Sequence, residues 1–123
     1  MITAGIWPDR KRLVVVILDD AERARRPILA RRDAAAESLV NYLVSEMAEI
    51  VLVESLLTEP IGRAAAHAGT FWIASLELIA PIREAAKLSP RTTATMLARL
   101  PRRTMLRRQL RRHRVDPRQL TLL

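Results

Sequence analysis

Apolar residues fall in short blocks along this chain, and the spacing within each block predicts an element. Residues 2–7 alternate with period two around Gly5, and residues 13–18 are an unbroken run of Leu, Val and Ile. The tight turn Pro8-Asp9-Arg10-Lys11 joins them, which predicts a hairpin of strands over 2–7 and 12–19, the second buried on both faces. Residues 27–30 suit a short third strand at a sheet edge, where Pro27 is tolerated. Asp33 is a candidate N-cap for a helix with Ala36, Leu39, Val40, Leu43 and Met47 on one face and Glu37, Asn41, Ser45 and Glu46 on the other. A strand over 49–57 follows. Thr58 is a candidate cap for a helix with Glu59 and Pro60 in its first turn, closing at Ala68-Gly69. Residues 70–75 are apolar and β-prone, and a helix over 76–87 contains Pro81. Ser89 and Pro90 make an N-cap and N1 pair for a helix through Leu100. Pro101 ends it, and a last helix is expected over 102–114.

The order β-β-β-α-β-α-β-α-α-α implies an α/β fold with partly parallel pairing, made mixed by the opening hairpin. At 123 residues the chain has enough material for a real core. The expected organisation is an α/β core over 1–88 and a basic helical extension over 89–123. Within the strand at 49–57, Glu54 interrupts the run Ile50-Val51-Leu52-Val53-Glu54-Ser55-Leu56-Leu57. A carboxylate inside a buried strand is costly unless it is paired, hydrogen-bonded or bound to metal. The readings are an ion pair with Arg63 or Lys87, or a residual metal ligand.

Taken in order, several stretches resemble the RNase H-like, RuvC-like N-terminal domain of DEDD-type insertion-sequence transposases. They are Ala4-Gly5-Ile6 with residues 12–19, then Ile50-Val51-Leu52-Val53-Glu54, then residues 64–69, then residues 87–99. The resemblance covers about residues 2–100. It implies an RNase H-like mixed sheet that opens with a β-hairpin and is flanked by helices, and it implies four metal-binding carboxylates for phosphodiester cleavage. In that family an Asp follows the Gly-Ile of the first strand, a Glu stands on the fourth strand, and two Asp lie three apart on the late helix. Here those slots hold Trp7, Glu54, Pro90 and Thr93, and residues 85–100 contain no Asp or Glu. Two-metal chemistry needs several hard oxygen ligands. The resemblance therefore implies a scaffold without the enzyme: no catalytic residue, no metal, no cofactor, Glu54 as a residual active-site position, and Trp7 as a plug of the vacated pocket. The alternative is a divergent metal-dependent nuclease using Glu54 with Asp9 or Asp19.

Charge supplies the other functional signal. Residues 1–90 hold 11 Lys and Arg against 12 Asp and Glu, whereas residues 91–123 hold ten Arg against Asp116 alone, so the whole excess behind the net +8 lies in the last quarter. Solvated faces usually mix signs; a one-signed arginine segment points to a polyanion, DNA ahead of RNA. The candidate nucleic-acid-binding residues are Arg99, Arg102, Arg103, Arg107, Arg108, Arg111, Arg112 and Arg114. A homodimer that pairs through this tail is the interaction-module reading. Gln119-Leu120-Thr121-Leu122-Leu123 is similar to the bacterial sliding-clamp-binding peptide, with Leu where that peptide ends in Phe. There is no Cys, hence no disulfide or thiolate site, and His67 and His113 are too far apart in sequence to suggest a metal pair. No apolar run reaches the roughly 18 residues of a membrane span, and no signal peptide is recognisable at the N-terminus, so a cytoplasmic protein without membrane contact is expected.

Overall fold

The computed structural model describes residues 1–69 and 71–113. The chain forms a mixed six-stranded sheet with helices on both faces. Strands β1 (Ile2–Asp9) and β2 (Arg12–Leu18) make the expected hairpin, and β3 (Ile28–Arg31) adds antiparallel to β2. Helix α1 (Ala36–Ser45) leads into β4 (Ala48–Val53), which pairs parallel to β1. Helix α2 (Pro60–Ala68) crosses to β5 (Phe71–Ala74), parallel to β4. Then come α3 (Leu76–Ala86), α4 (Pro90–Arg99), a single helical turn α5 (Thr104–Arg107) and β6 (Arg111–His113), which pairs antiparallel to β5. The strand order is β3-β2-β1-β4-β5-β6.

Strands β1, β2 and β4 are buried on both faces, and this requires cover on both sides. Helix α4, which the sequence assigns to the extension, packs on β1, β2 and β4; α1 packs on α2 and β4. The approach of α4 to β1 is set by Gly5. A Cβ there would lie 2.0 Å from the Ala94 carbonyl oxygen and 2.7 Å from the Ala98 nitrogen. Two residues before, the buried Thr3 hydroxyl donates to the Ala98 carbonyl at 2.6 Å and accepts from Arg102 Nε at 3.0 Å. Arg102 also donates to the carbonyls of Met1 and Leu18.

Several local expectations are corrected. Asp33 does not cap α1; it lies 3.5 Å from Arg31, and the N-cap is Ala35 at φ 60°, with no side-chain cap bond. Met47 does not join the core face of α1. The helix ends at Ser45, and Met47 turns the chain into β4 at φ 58° with 84% exposure. Glu59 rather than Thr58 is the N-cap of α2, without a side-chain bond. Pro81 lies inside α3, whose N-cap is Ser75. Ser89 and Pro90 start α4 as expected, with the Ser89 hydroxyl accepting from Thr92 N–H.

The largest correction is the helix expected over 102–114. Its place is taken by one turn and a strand. On a helix, Arg103–Arg107, Arg107–Arg111 and Arg108–Arg112 would be like-charged i,i+4 pairs, each unfavourable. Pairing with β5 instead satisfies an open sheet edge. It also buries Leu110 and stacks His113 on Phe71 at 4.7 Å.

Arg32 ties the sheet to α2. Its guanidinium makes two bonds to Glu59, each 2.5 Å, in a partly buried pair. Arg32 holds the Glu59 carboxyl below its usual range by direct hydrogen bonding, against the opposing effect of burial. A depressed carboxyl pKa contributes stability above the unfolded value, lost as pH falls through the folded one. Glu59→Gln is therefore expected to cost about 1 kcal/mol at neutral pH, a gap that closes below the ordinary value of 4.5. Chemical denaturation from pH 7 to 3 measures it, and a constant gap would contradict the pairing. Gly5→Ala is expected to cost more, about 2 kcal/mol or above, because backbone rather than a flexible side chain blocks the added methyl. A loss under about 0.5 kcal/mol in the same experiment would mean that α4 sits further from β1.

Candidate functional site

Parallel pairing of β1 with β4 sets Ile6 opposite Leu52, so Trp7 and Glu54 follow at the same end of the sheet. Glu54 is not inside the strand. Strand β4 stops at Val53, and Glu54 opens a 3-10 turn over Glu54–Leu56. Its side chain is 40% exposed. One carboxylate oxygen accepts from the Leu76 N–H at 3.1 Å, and the other lies 3.9 Å from Arg111. An acid at the first turn of α3 answers unpaired backbone donors and the helix dipole. The partners expected from the sequence are elsewhere: Arg63 donates to the Thr58 carbonyl, and Lys87 is the exposed C-cap of α3. The cost assigned to a buried strand carboxylate therefore does not arise.

Trp7 and Thr93, two of the slots where the resemblance expects acids, converge on Arg83. Trp7 is 7% exposed, and the Arg83 guanidinium lies 4.8 Å from its ring centroid. Arg83 Nε donates to the fully buried Thr93 hydroxyl at 2.9 Å, and that hydroxyl donates to the Ser89 carbonyl at 2.8 Å. A fixed cation stacked on an aromatic face thus joins two of these positions. Arg83 was missed from the sequence. On the helical spacing of residues 76–87 it reads as one more solvated charge, and only the fold, which brings Trp7 of β1 and Thr93 of α4 to it, gives it partners.

Of the acids named for a nuclease, Asp9 ends β1 at the Glu54 end of the sheet, paired in register with Arg12. Asp19 is at the opposite end, where its carboxylate accepts from the N–H groups of Ala21 and Arg23. A site joining Glu54 to Asp19 is ruled out by that separation. Among the described residues no three of His, Asp and Glu converge as a metal-binding group.

The candidate nucleic-acid-binding arginines divide by what they touch. Arg102 is a fold residue, bonded to β1, β2 and the N-terminal carbonyl. Arg107 and Arg112 lie 5.0 and 4.4 Å from the Trp72 ring centroid, and both Arg112 and the Trp72 indole N–H donate to Glu49. This cluster holds β6 and α5 on the sheet. Arg103 pairs with Glu22 at 2.9 Å. Arg111 lies 3.9 Å from Glu54, and Arg99 and Arg108 are exposed, as are Arg103, Arg107, Arg111 and Arg112. Arg114 and the segment Gln119-Leu120-Thr121-Leu122-Leu123 lie outside the described residues. No helix among the described residues is long and apolar enough to cross a membrane.

The Arg83–Thr93 bond is testable through its coupling. Arg83→Met and Thr93→Val, measured singly and together by chemical denaturation, are expected to couple by about 1 kcal/mol. Strictly additive losses would mean that the bond contributes nothing.

The chain matches no protein-family model and no curated protein.

Proposed function

We propose that this chain is a non-catalytic nucleic-acid-binding protein, DNA ahead of RNA, on an RNase H-like scaffold related to that of a transposase. The observation that carries the binding reading is the run of residues 91–113, which has eight arginines and no acid. Arg99, Arg108 and Arg111 of that run are exposed, and Arg103 is 54% exposed beside Glu22. Such a one-signed surface attracts phosphates and releases counterions on binding.

The scaffold reading is supported by a mixed sheet that opens on a hairpin and continues through two parallel pairings. The non-catalytic reading is supported by the contents of the four slots. Glu54 answers the Leu76 N–H, Trp7 is packed, Pro90 has no ligand atom in its side chain, and the Thr93 hydroxyl is engaged by Arg83 and Ser89. A single carboxylate does not hold two Mg²⁺ ions, and Mg²⁺ dehydrates reluctantly for a poor site.

The test is a gel shift on duplex DNA with wild type and with Arg99, Arg103, Arg108 and Arg111 all changed to Gln. Removing the whole tail is the poorer variant, because Pro101 and Leu110 are buried and Arg102 bonds to both hairpin strands. Wild type is expected to bind with log K falling against log salt at a slope of about −4 or steeper, and the quadruple variant to flatten that slope by about 3. Glu54→Gln is expected to bind as wild type, and wild type to leave DNA uncut with Mg²⁺ or Mn²⁺. Metal-dependent cleavage that disappears in Glu54→Gln would overturn the non-catalytic reading; salt-independent or absent binding would overturn the nucleic-acid reading.

A further inference from the structure

A second basic surface lies where the sequence balance is neutral. The hairpin turn carries Arg10, Lys11 and Arg12, all exposed, and the end of β3 brings Arg31 beside them. Arg12 and Arg31 stand directly opposite each other across the β2–β3 ladder, a like-charge pair unfavourable in itself, while Asp9 faces Arg12 from β1. Arg31 is 78% exposed, with Asp33 at 3.5 Å.

This edge is also held in place. The Arg32 N–H donates to the Lys11 carbonyl at 2.9 Å, extending the ladder past β3. The Arg32 side chain reaches the Arg10 carbonyl at 3.0 Å while clamped to Glu59. Arg10 keeps a positive φ of 57°. Glu59 is thereby paired with Arg32, which leaves Asp9 and Asp33 as the two acids beside the four outer cations. A groove of about 750 Å³ opens between this turn, the end of β3 and Glu59.

The topology places this edge in line with the tail. Strands β1, β4 and β5 end, and β2 and β6 begin, on the same side of the sheet. Arg111 therefore stands at the far corner of that side, beside Glu54. Six strands at about 4.8 Å spacing make a line of roughly 24 Å from Arg31 to Arg111, the length of about seven base-pair steps at 3.4 Å. Of the acids on that side, Glu54 and Glu59 have arginine partners, Asp33 lies beside Arg31, Asp9 stands opposite Arg12, and Glu77 is exposed in the first turn of α3.

Aromatic placement selects the kind of strand. Trp7, Phe71 and Trp72 are all buried, and the exposed Tyr42 lies in the last turn of α1, toward the opposite end of the sheet. Single-strand binders combine a basic groove with exposed rings that stack on bases. Here the strand-end line offers cations without rings.

We propose that the strand-end line from Arg31, Arg12, Arg10 and Lys11 across to Arg111 binds the sugar–phosphate backbone of duplex DNA over about seven base pairs, without reading bases. The proposal rests on the nucleic-acid reading above and adds the hairpin edge as a principal contact. The test uses a 20-base-pair duplex, its separated single strand, and three proteins. These are wild type, a hairpin-edge variant with Arg10, Lys11, Arg12 and Arg31 changed to Gln, and the tail variant described above. Arg32 is left intact because it holds the turn. Wild type is expected to prefer duplex to single strand by about tenfold or more. The edge variant is expected to lose about tenfold or more in duplex affinity at 0.1 M salt and to flatten the salt slope by about 2 to 4. Its thermal midpoint is expected to change little, since relief of the Arg12–Arg31 pair is offset by loss of the cations beside Asp33 and Asp9; restoring Lys at all four positions should restore binding. An edge variant with wild-type affinity beside a weakened tail variant would overturn this proposal and leave the nucleic-acid reading standing. Wild type that prefers single strand would overturn the duplex assignment, and wild type that binds neither would remove both readings.

Discussion

The close approach of α4 to β1 is the contact on which the other arrangements depend. With no side chain at Gly5, the helix backbone comes down onto the strand until the Ala94 carbonyl lies where a Cβ would stand. Apolar burial alone would not set so short a separation, because any pair of side chains would keep the elements further apart. At one end of the contact, Thr3 bonds to the last turn of α4 and receives Arg102. At the other, Thr93 faces Trp7 across Arg83. The two buried threonines behave alike: each hydroxyl donates to a carbonyl and accepts from a guanidinium. No buried side-chain polar atom among the described residues lacks a partner, as a core carrying two threonines requires.

The strands of the hairpin, the crossover helices and the Ser89-Pro90 start of α4 were legible because each has a local cause. The Leu13–Leu18 run fits a strand buried on both faces, and a serine followed by proline fits the first turn of a helix. The strand at the end was not legible. Residues 102–114 have helical spacing in Leu106 and Leu110, and nothing local reveals that β5 leaves an edge to be filled. Electrostatic repulsion between successive arginine turns was readable in principle, at a cost of about a few tenths of a kcal/mol per pair.

The candidate site was legible in composition and not in place. Counting charges located the arginines of the tail, but the count treats all as alike. Arg102 is spent on two strands and the N-terminal carbonyl, and Arg112 on Glu49 and Trp72, because those residues come near only in the fold. The hairpin cations were hidden by the opposite fault. Averaged over residues 1–90 they vanish against the acids of that stretch, some of which, like Glu59, are already paired and some of which, like Asp19, lie at the other end of the sheet. Glu54 stood out for a reason that the fold dissolves, since β4 stops one residue before it.

Arg83 bears on the history open to this scaffold. Under the proposed kinship, an ancestral metal site was lost by replacing its acids, and a guanidinium now stacks on Trp7 and bonds to Thr93. An Asp returned at either position would meet that guanidinium first and form an internal ion pair, which holds no metal and gives selection nothing to keep. Removing Arg83 first would strip Thr93 and Trp7 of their partner. Under that kinship reversal would need several changes at once, each unhelpful alone.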